Sequence, residues 1–216
     1  MKRRQVIAGA GTVGLAGLAG CLGTVGLDRH EATPAGIDPE IREETGYERT
    51  DVDELRLEET VSVSVVSQEL VLVNALTEYE KTIDMGLLGE HQGAEFVVLS
   101  SPQVGIAGRQ LNPIGERSAS DLVDLVVDTY DGLGSVDHDS DEELTVLEQP
   151  TTLSTFTGEA EFDGRTVDVN VLVTETVDAG DDLVATLGVY PTYLDDEGEN
   201  LRSLIGGVLE ELPDRD

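Results

Sequence analysis

Forty-five Asp and Glu against 13 Lys and Arg in 216 residues, a formal charge of −32, leave this chain little freedom about where its charged side chains go. A carboxylate buried without a partner is strongly penalised, and there are too few cations to pair with so many acids. Almost all of the acids must therefore lie at the surface, and apolar runs mark the interior. The same imbalance excludes a nucleic-acid binder, because phosphate contacts need clustered Lys and Arg and no basic patch occurs beyond residue 4. At 39% apolar residues the chain still has enough to build a core, and its length suits one ordinary domain and not two large ones. A single cysteine excludes an internal disulfide and a CxxC metal site.

That cysteine closes the N-terminal segment MKRRQVIAGAGTVGLAGLAGC, in which Lys2, Arg3 and Arg4 precede an uncharged stretch from Val6 to Ala19. A basic start, a short apolar run and small residues at the end read as a secretory signal. The run is rich in Gly and Ala and falls short of the roughly 20 predominantly apolar residues that span a bilayer. Arg3-Arg4-Gln5-Val6-Ile7 resembles the twin-arginine (Tat) export motif, and Leu18-Ala19-Gly20-Cys21 resembles a lipobox. Together they imply a Tat-type lipoprotein signal peptide over residues 1–20. In that case Arg3 and Arg4 are the export signal and Cys21 is the lipidated N-terminus, holding the protein at the outer face of the cell membrane. Removing residues 1–20 takes away three cations and no acid, which leaves ten cations against 45 acids, a net −35, with Lys81 the only lysine. Such an acid-rich, lysine-poor composition resembles that of proteins from salt-loving archaea, where high salt screens self-repulsion. The charge also repels anionic lipid, so the acyl chains have to do the holding.

Residues 21–53 are polar and acidic with little periodicity and read as a tether, with a helical turn at Pro39 to Glu44; the globular domain is expected over 54–213. Alternation of Val61, Val63 and Val65 with Ser62 and Ser64, then a Ser-Gln-Glu step at 67–69 into LVLVNALTEYEK, predicts a long hairpin. Ala94 to Leu99 predicts a short strand, and VGIAGRQL a second one weakened by glycine. Ser118 and Ser120 can cap a helix with Leu122, Val123, Val126, Val127, Tyr130 and Leu133 on one face. Leu144 to Leu147 predicts a strand. Phe156, Gly158, Ala160 and Phe162 line the next, Asp163-Gly164 turns the chain, and Val167, Val169, Val171 and Val173 alternate on the return. Leu183 to Val189 is continuously apolar and predicts a central strand. Leu201, Leu204, Ile205, Val208, Leu209 and Leu212 predict a closing amphipathic helix ended by Pro213. The expected class is α+β, a mostly antiparallel sheet covered by two main helices.

Residues from Phe96 to Leu209, including SSPQVGIAGRQLNPIG, SASDLVDLVVDTY, TTLSTFTGEAEFDG and LVATLGVYP, resemble an uncharacterised family of haloarchaeal lipoproteins. That resemblance implies no activity and carries over no catalytic motif. The element order is also similar to the PsbP-like α/β/α sandwich, an analogy of fold alone.

Chemistry-bearing groups are sparse. Cys21 would be blocked by lipid, no G-x-S-x-G elbow occurs, and His30, His91 and His138 lie apart in charged segments, so a Ser-His-Asp triad would need tertiary assembly. No HxxxH or HExxH metal spacing is present, and no cofactor is expected. The Asp137 to Glu148 segment spaces carboxylates like a calcium loop but carries Glu142 where such loops need Gly, and reads as a solvated acidic turn. The segment Gln103 to Glu116 holds Arg109, Gln110 and Asn112 among glycines, and Tyr190 and Tyr193 sit at a strand end. Scarce arginine, amides and tyrosines are common at binding hot spots. These five are the candidate binding residues, expected on one face, for a cell-surface protein or a small ligand. The leading expectation is a binding or accessory module, with an enzyme or solute-binding component assembled from scattered polar residues as the alternative.

Overall fold

The computed structural model describes residues 29–213 apart from 64–65, 85–89, 107–108, 111, 130–132 and 163–164. The signal segment, Cys21, the Asp163-Gly164 turn and Tyr130 lie outside the described residues. β1 (Arg29–Glu31), β2 (Gly36–Ile37) and helix α1 (Pro39–Thr45) lead into a hairpin of β3 (Glu48–Val63) and β4 (Val66–Asp84), followed by β5 (Glu90–Pro102). Short β6 (Gly105–Ile106) and β7 (Arg109–Gln110) pair with each other, and a 3-10 turn at Pro113–Glu116 precedes helix α2 (Ala119–Thr129). Then come β8 (Leu133–Val146), β9 (Gln149–Phe162), β10 (Arg165–Thr174), β11 (Val177–Ala179), β12 (Asp182–Pro191), helix α3 (Glu197–Gly206) and β13 (Val208–Leu209). Strands dominate: the molecule is a mostly-sheet α+β fold.

Seven strands run in the order β1-β4-β5-β12-β10-β9-β8, with β3 paired to β4 and β11 to β12. All pairs in this sheet are antiparallel except β1 with β4, so the sheet is mixed. The apolar run at 183–189 lies in β12, which β5 and β10 flank and whose ten residues are all buried. Its alternation supplies two cores. Val184 and Tyr190 join Phe96, Leu172 and the α3 residues Leu201, Leu204 and Ile205 on one face. Ala185, Leu187 and Val189 join Phe156, Val169, Val171 and the α2 residues Leu122 and Val123 on the other. Period-2 patterning in β9 and β10 fixes the register, setting Val171 opposite Phe156 and Val167 opposite Ala160.

At Gly188 α3 comes close to the sheet, for a Cβ there would stand 2.7 Å from Leu201 Cδ1. Gly188→Ala is expected to destabilise the domain by about 2 kcal/mol through overpacking. Gly206→Ala, in open space, is the control. Urea midpoints of the two variants check this.

Several expectations need correction. The tether does not extend to residue 53, because Ala35 and Ile37 are fully buried and Tyr47 nearly so. Residues 33–37 cross the sheet as a strap whose backbone is gripped by four buried side chains. Thr33 N donates to Asp182 Oδ2, Ala35 N to Ser100 Oγ and Ile37 N to the Tyr79 hydroxyl, while Thr77 Oγ1 donates to Ala35 O. The helical turn expected at 39–44 is α1, capped by the Asp38 side chain on Glu40 N and ended at Gly46 with φ 79°. The expected long hairpin is β3 and β4, which pair from Val63 and Val66 outwards, so the Ser-Gln-Glu step lies within β4. The closing helix stops at Gly206, and Val208 and Leu209 instead form β13 against β2. The acidic segment 137–143 is not a turn but part of β8 at the sheet edge, where extended backbone can hold every carboxylate in solvent. The sheet is therefore not simply an antiparallel layer between two helices: α2 packs on one face, α3 with α1 beside it on the other, and one strand is parallel.

Candidate functional site

The five candidate binding residues do not form one face. Asn112 sits at the β5 end where Pro102 pairs with Asp182 of β12, and Tyr190 lies eight residues further along β12, about 26 Å away at strand rise. Arg109 and Gln110 form β7, opposite Ile106 and Gly105. Asn112 is buried and acts inward. Its Nδ2 donates to Ser101 Oγ and Pro102 O, both at 2.7 Å, and its Oδ1 accepts from Ile114 N, capping the 3-10 turn. Ser101 in turn donates to Asn74 Oδ1, and Asn74 Nδ2 to Leu55 O, a buried relay from β3 to the loop before α2. Tyr190 is also buried, against α3, whereas Tyr193 is 57% exposed.

Near the Asn112 end lies a shallow hollow of about 320 Å³, lined by Gly115, Gln149, Pro150, Thr176, Val177, Asp178 and Leu183. Gln149 brackets the Asp178 backbone, donating to its O and accepting from its N, and Gln103 Nε2 donates to Asp178 Oδ1. The hollow thus offers a mostly polar lining in which the Asp178 carboxylate and the Gln149 amide are already held in place.

The one Ser-His-Asp grouping among the described residues has the wrong order for nucleophilic catalysis. Ser154 Oγ donates to Asp141 Oδ1 at 2.6 Å, and the same oxygen meets His138 Nε2 at 2.8 Å. A nucleophile must give its proton to the imidazole, but here the carboxylate stands between them. The hydrogen bonds from His138 first and Ser154 second hold the Asp141 carboxyl below its usual range. His138 also packs edge-on against Phe156 at 5.4 Å, so its role is to pin the edge strand. The calcium reading fails on geometry as well. Asp137 to Val146 is extended, and Leu147 and Glu148, with φ 48° and 61°, make the tight β8–β9 turn. Among the described residues no group of three His, Cys, Asp or Glu side chains is placed to hold a metal.

Sequence reasoning missed the pair Lys81 and Glu197, 116 residues apart. The Lys81 ammonium bonds both Glu197 oxygens, at 3.1 and 2.9 Å, with side chains only 22% and 5% exposed. It also lies 5.7 Å from the Tyr47 ring centroid, and Asn200 Nδ2 donates to Glu197 Oε1. Burial first, then the Glu197 charge, drives the Tyr47 hydroxyl pKa far up, so it stays protonated at any ordinary pH. A clue was in the composition, since the one lysine beyond residue 20 in so acidic a chain is a natural partner for an acid that has to be buried.

A second buried acid, Asp182, gives the strap a pH dependence. Burial raises its pKa, opposed by hydrogen bonds from Thr33 and reinforced by Asp181. The folded carboxyl holds its proton more tightly than the unfolded one. Its contribution is therefore most favourable below the ordinary carboxylate range and is lost as pH rises through the raised value. Glu95, raised by burial and by Glu80 and Glu78, acts in the same direction. In molar salt, where general repulsion is screened, thermal midpoints are expected to rise as pH falls from 7.5 toward the carboxylate range. Asp182→Asn, whose amide oxygen can still accept from Thr33, should flatten part of that rise. An unchanged slope in Asp182→Asn would contradict the assignment.

These features define a mostly-sheet α+β domain whose chemically capable side chains largely bind one another. The chain belongs to the DUF6517 family, a domain of unknown function, over residues 34–209, a span from the strap to the end of β13. The comparison with curated proteins finds no match. Among solved structures, the apo structure of immunity protein TplEi of T6SS from Pseudomonas aeruginosa is similar at 15% identity with a TM-score of 0.34. The alignment covers 76% of this chain and 53% of that one, so this chain spans about half of its length.

Proposed function

We propose that the chain is exported by the Tat route, anchored by lipid on Cys21 at the outer face of a halophile's cell membrane, and works there as a binding or accessory module. The anchor rests on the N-terminal residues already described. The observation that supports binding over turnover is the use of the polar groups: Asp141 absorbs Ser154 and His138, Glu197 absorbs Lys81, and Asn112 braces a loop. With β1 starting at Arg29, an anchor at Cys21 would leave eight residue steps, at most about 29 Å of chain. The domain would then stand against the bilayer and not on a long stalk. Among the described residues no helix is long and apolar enough to cross a membrane. The hollow beside Asp178 favours a solute-binding component as the second reading.

Cys21→Ser is expected to shift the protein from the membrane fraction to the medium or leave an unprocessed precursor, and Lys at positions 3 and 4 is expected to block export. Fractionation and immunoblotting read both. Full membrane retention of a correctly cleaved Cys21→Ser protein would overturn the anchor.

A further inference from the structure

Ten cations remain outside residues 1–20, and in so acidic a chain each should find a carboxylate. Arg29, Arg56, Lys81 and Arg202 do so. Arg42 and Arg49, like Arg117 elsewhere in the chain, depart from this pattern. Neither makes a salt bridge among the described residues, although both are half-buried. The Arg42 Nε is enclosed without a hydrogen-bond partner, and Arg49 uses Nη1 to donate to Pro213 O at 3.2 Å.

The two guanidinium groups serve one region. Arg49 lies directly across the β3–β4 ladder from Tyr79, so their side chains share the face that carries α1 and α3. Arg42 stands on α1, whose neighbour Ile41 packs on Gly207 just beyond α3. Both charges act on the buried Tyr79 hydroxyl, lowering a pKa that burial raises more strongly. That hydroxyl accepts from Ile37 N, which leaves its own proton free to donate. Two half-buried cations without a carboxylate, one of them with an Nε that finds no acceptor, have donors left over for an added anion.

We propose that Arg42 and Arg49, gathered beside the buried Tyr79, form an oxyanion site, which takes a phosphate or carboxylate group from outside the domain. Guanidinium forks suit this, because they bind both groups through paired N–H donors. The site is independent of how the protein is anchored.

The test follows the Arg Nε–Hε resonances of the purified chain in 1 M NaCl, titrated separately with sodium phosphate and sodium acetate. The Arg42 signal is expected to shift and saturate at millimolar concentration. Saturation with phosphate alone assigns a phosphate group, and saturation with both shows that a carboxylate suffices. Arg49→Gln should weaken binding at least tenfold, followed on the Arg42 signal, and Arg117→Gln should leave it unchanged. Arg42→Lys, which keeps charge but loses the fork, should weaken binding severalfold with the fold intact, followed on the Arg49 signal. A linear shift with either salt, or equal binding in Arg49→Gln, overturns the proposal. So does binding that arises only after residues 214–216 are removed, because the chain itself would then fill the site.

Discussion

Lys81→Ala will lower the stability of the domain by about 3 kcal/mol, the low end for a broken buried ion pair because the ammonium keeps some solvent. The loss comes from what is left behind. Glu197, 5% exposed, would keep the bond from Asn200 but lose its ammonium partner while its charge stayed inside. Lys81→Met combined with Glu197→Leu removes both charges and fills similar volume, so its cost is expected to stay within about 1 kcal/mol. Urea unfolding in molar salt separates the two outcomes. A single variant no worse than the double would mean that the pair is effectively solvated and that its enclosure by Tyr47 and α3 counts for little.

Asn112→Ala will cost a similar amount, about 3 kcal/mol, by another route. Alanine deletes the hydrogen bonds to Ser101, Pro102 and Ile114 and strands Pro102 O and Ile114 N, each left unpaired at about 1–3 kcal/mol. Ile114 is fully buried against α2, so the damage should spread into that helix. Hydrogen exchange is expected to speed up across residues 112–124 before the β9–β10 ladder responds. Asn112→Asp keeps the acceptor for Ile114 N but turns an anion toward Pro102 O, and it should be at least as harmful. A mild effect with uniform exchange would show that the loop is held by its apolar contacts alone.

The contrast between those two residues shows what the sequence reveals. Val167 to Val173, Phe156 to Ala160 and Leu183 to Val189 announce their partners, because burial on one face imposes period 2 and burial on both faces removes it. α2 was legible from its capping serine and apolar stripe; Ser118 Oγ accepts from Asp121 N while the Asp121 carboxylate takes both Ser118 donors. The strap was not legible. Its elements are two or three residues long, and its backbone is satisfied by side chains from β4, β5 and β12, which no local pattern encodes. The end of α3 was overrun because Val208 and Leu209 continue the helical spacing by chance, while Gly206-Gly207 was the better signal. The binding residues were misjudged for a physical reason: Asn112 and Tyr190 were singled out as scarce groups among acids, but scarce polar and aromatic groups in such a chain are also those the interior needs.

The two ends of the described chain also have a mechanical consequence. β2 and β13 are antiparallel, with Ile37 opposite Val208 and Gly36 opposite Leu209, and Leu212 N donates to Pro34 O at 2.8 Å. The chain therefore enters and leaves at the same edge. Force applied between the two ends would open these contacts one at a time, like a zipper. Force applied to the N-terminal end alone, against a load borne by the rest of the sheet, meets the strap's side-chain bonds and the three-residue parallel ladder of β1 on β4 together, in shear. Such a domain yields readily when stretched end to end and resists when dragged by its leading segment.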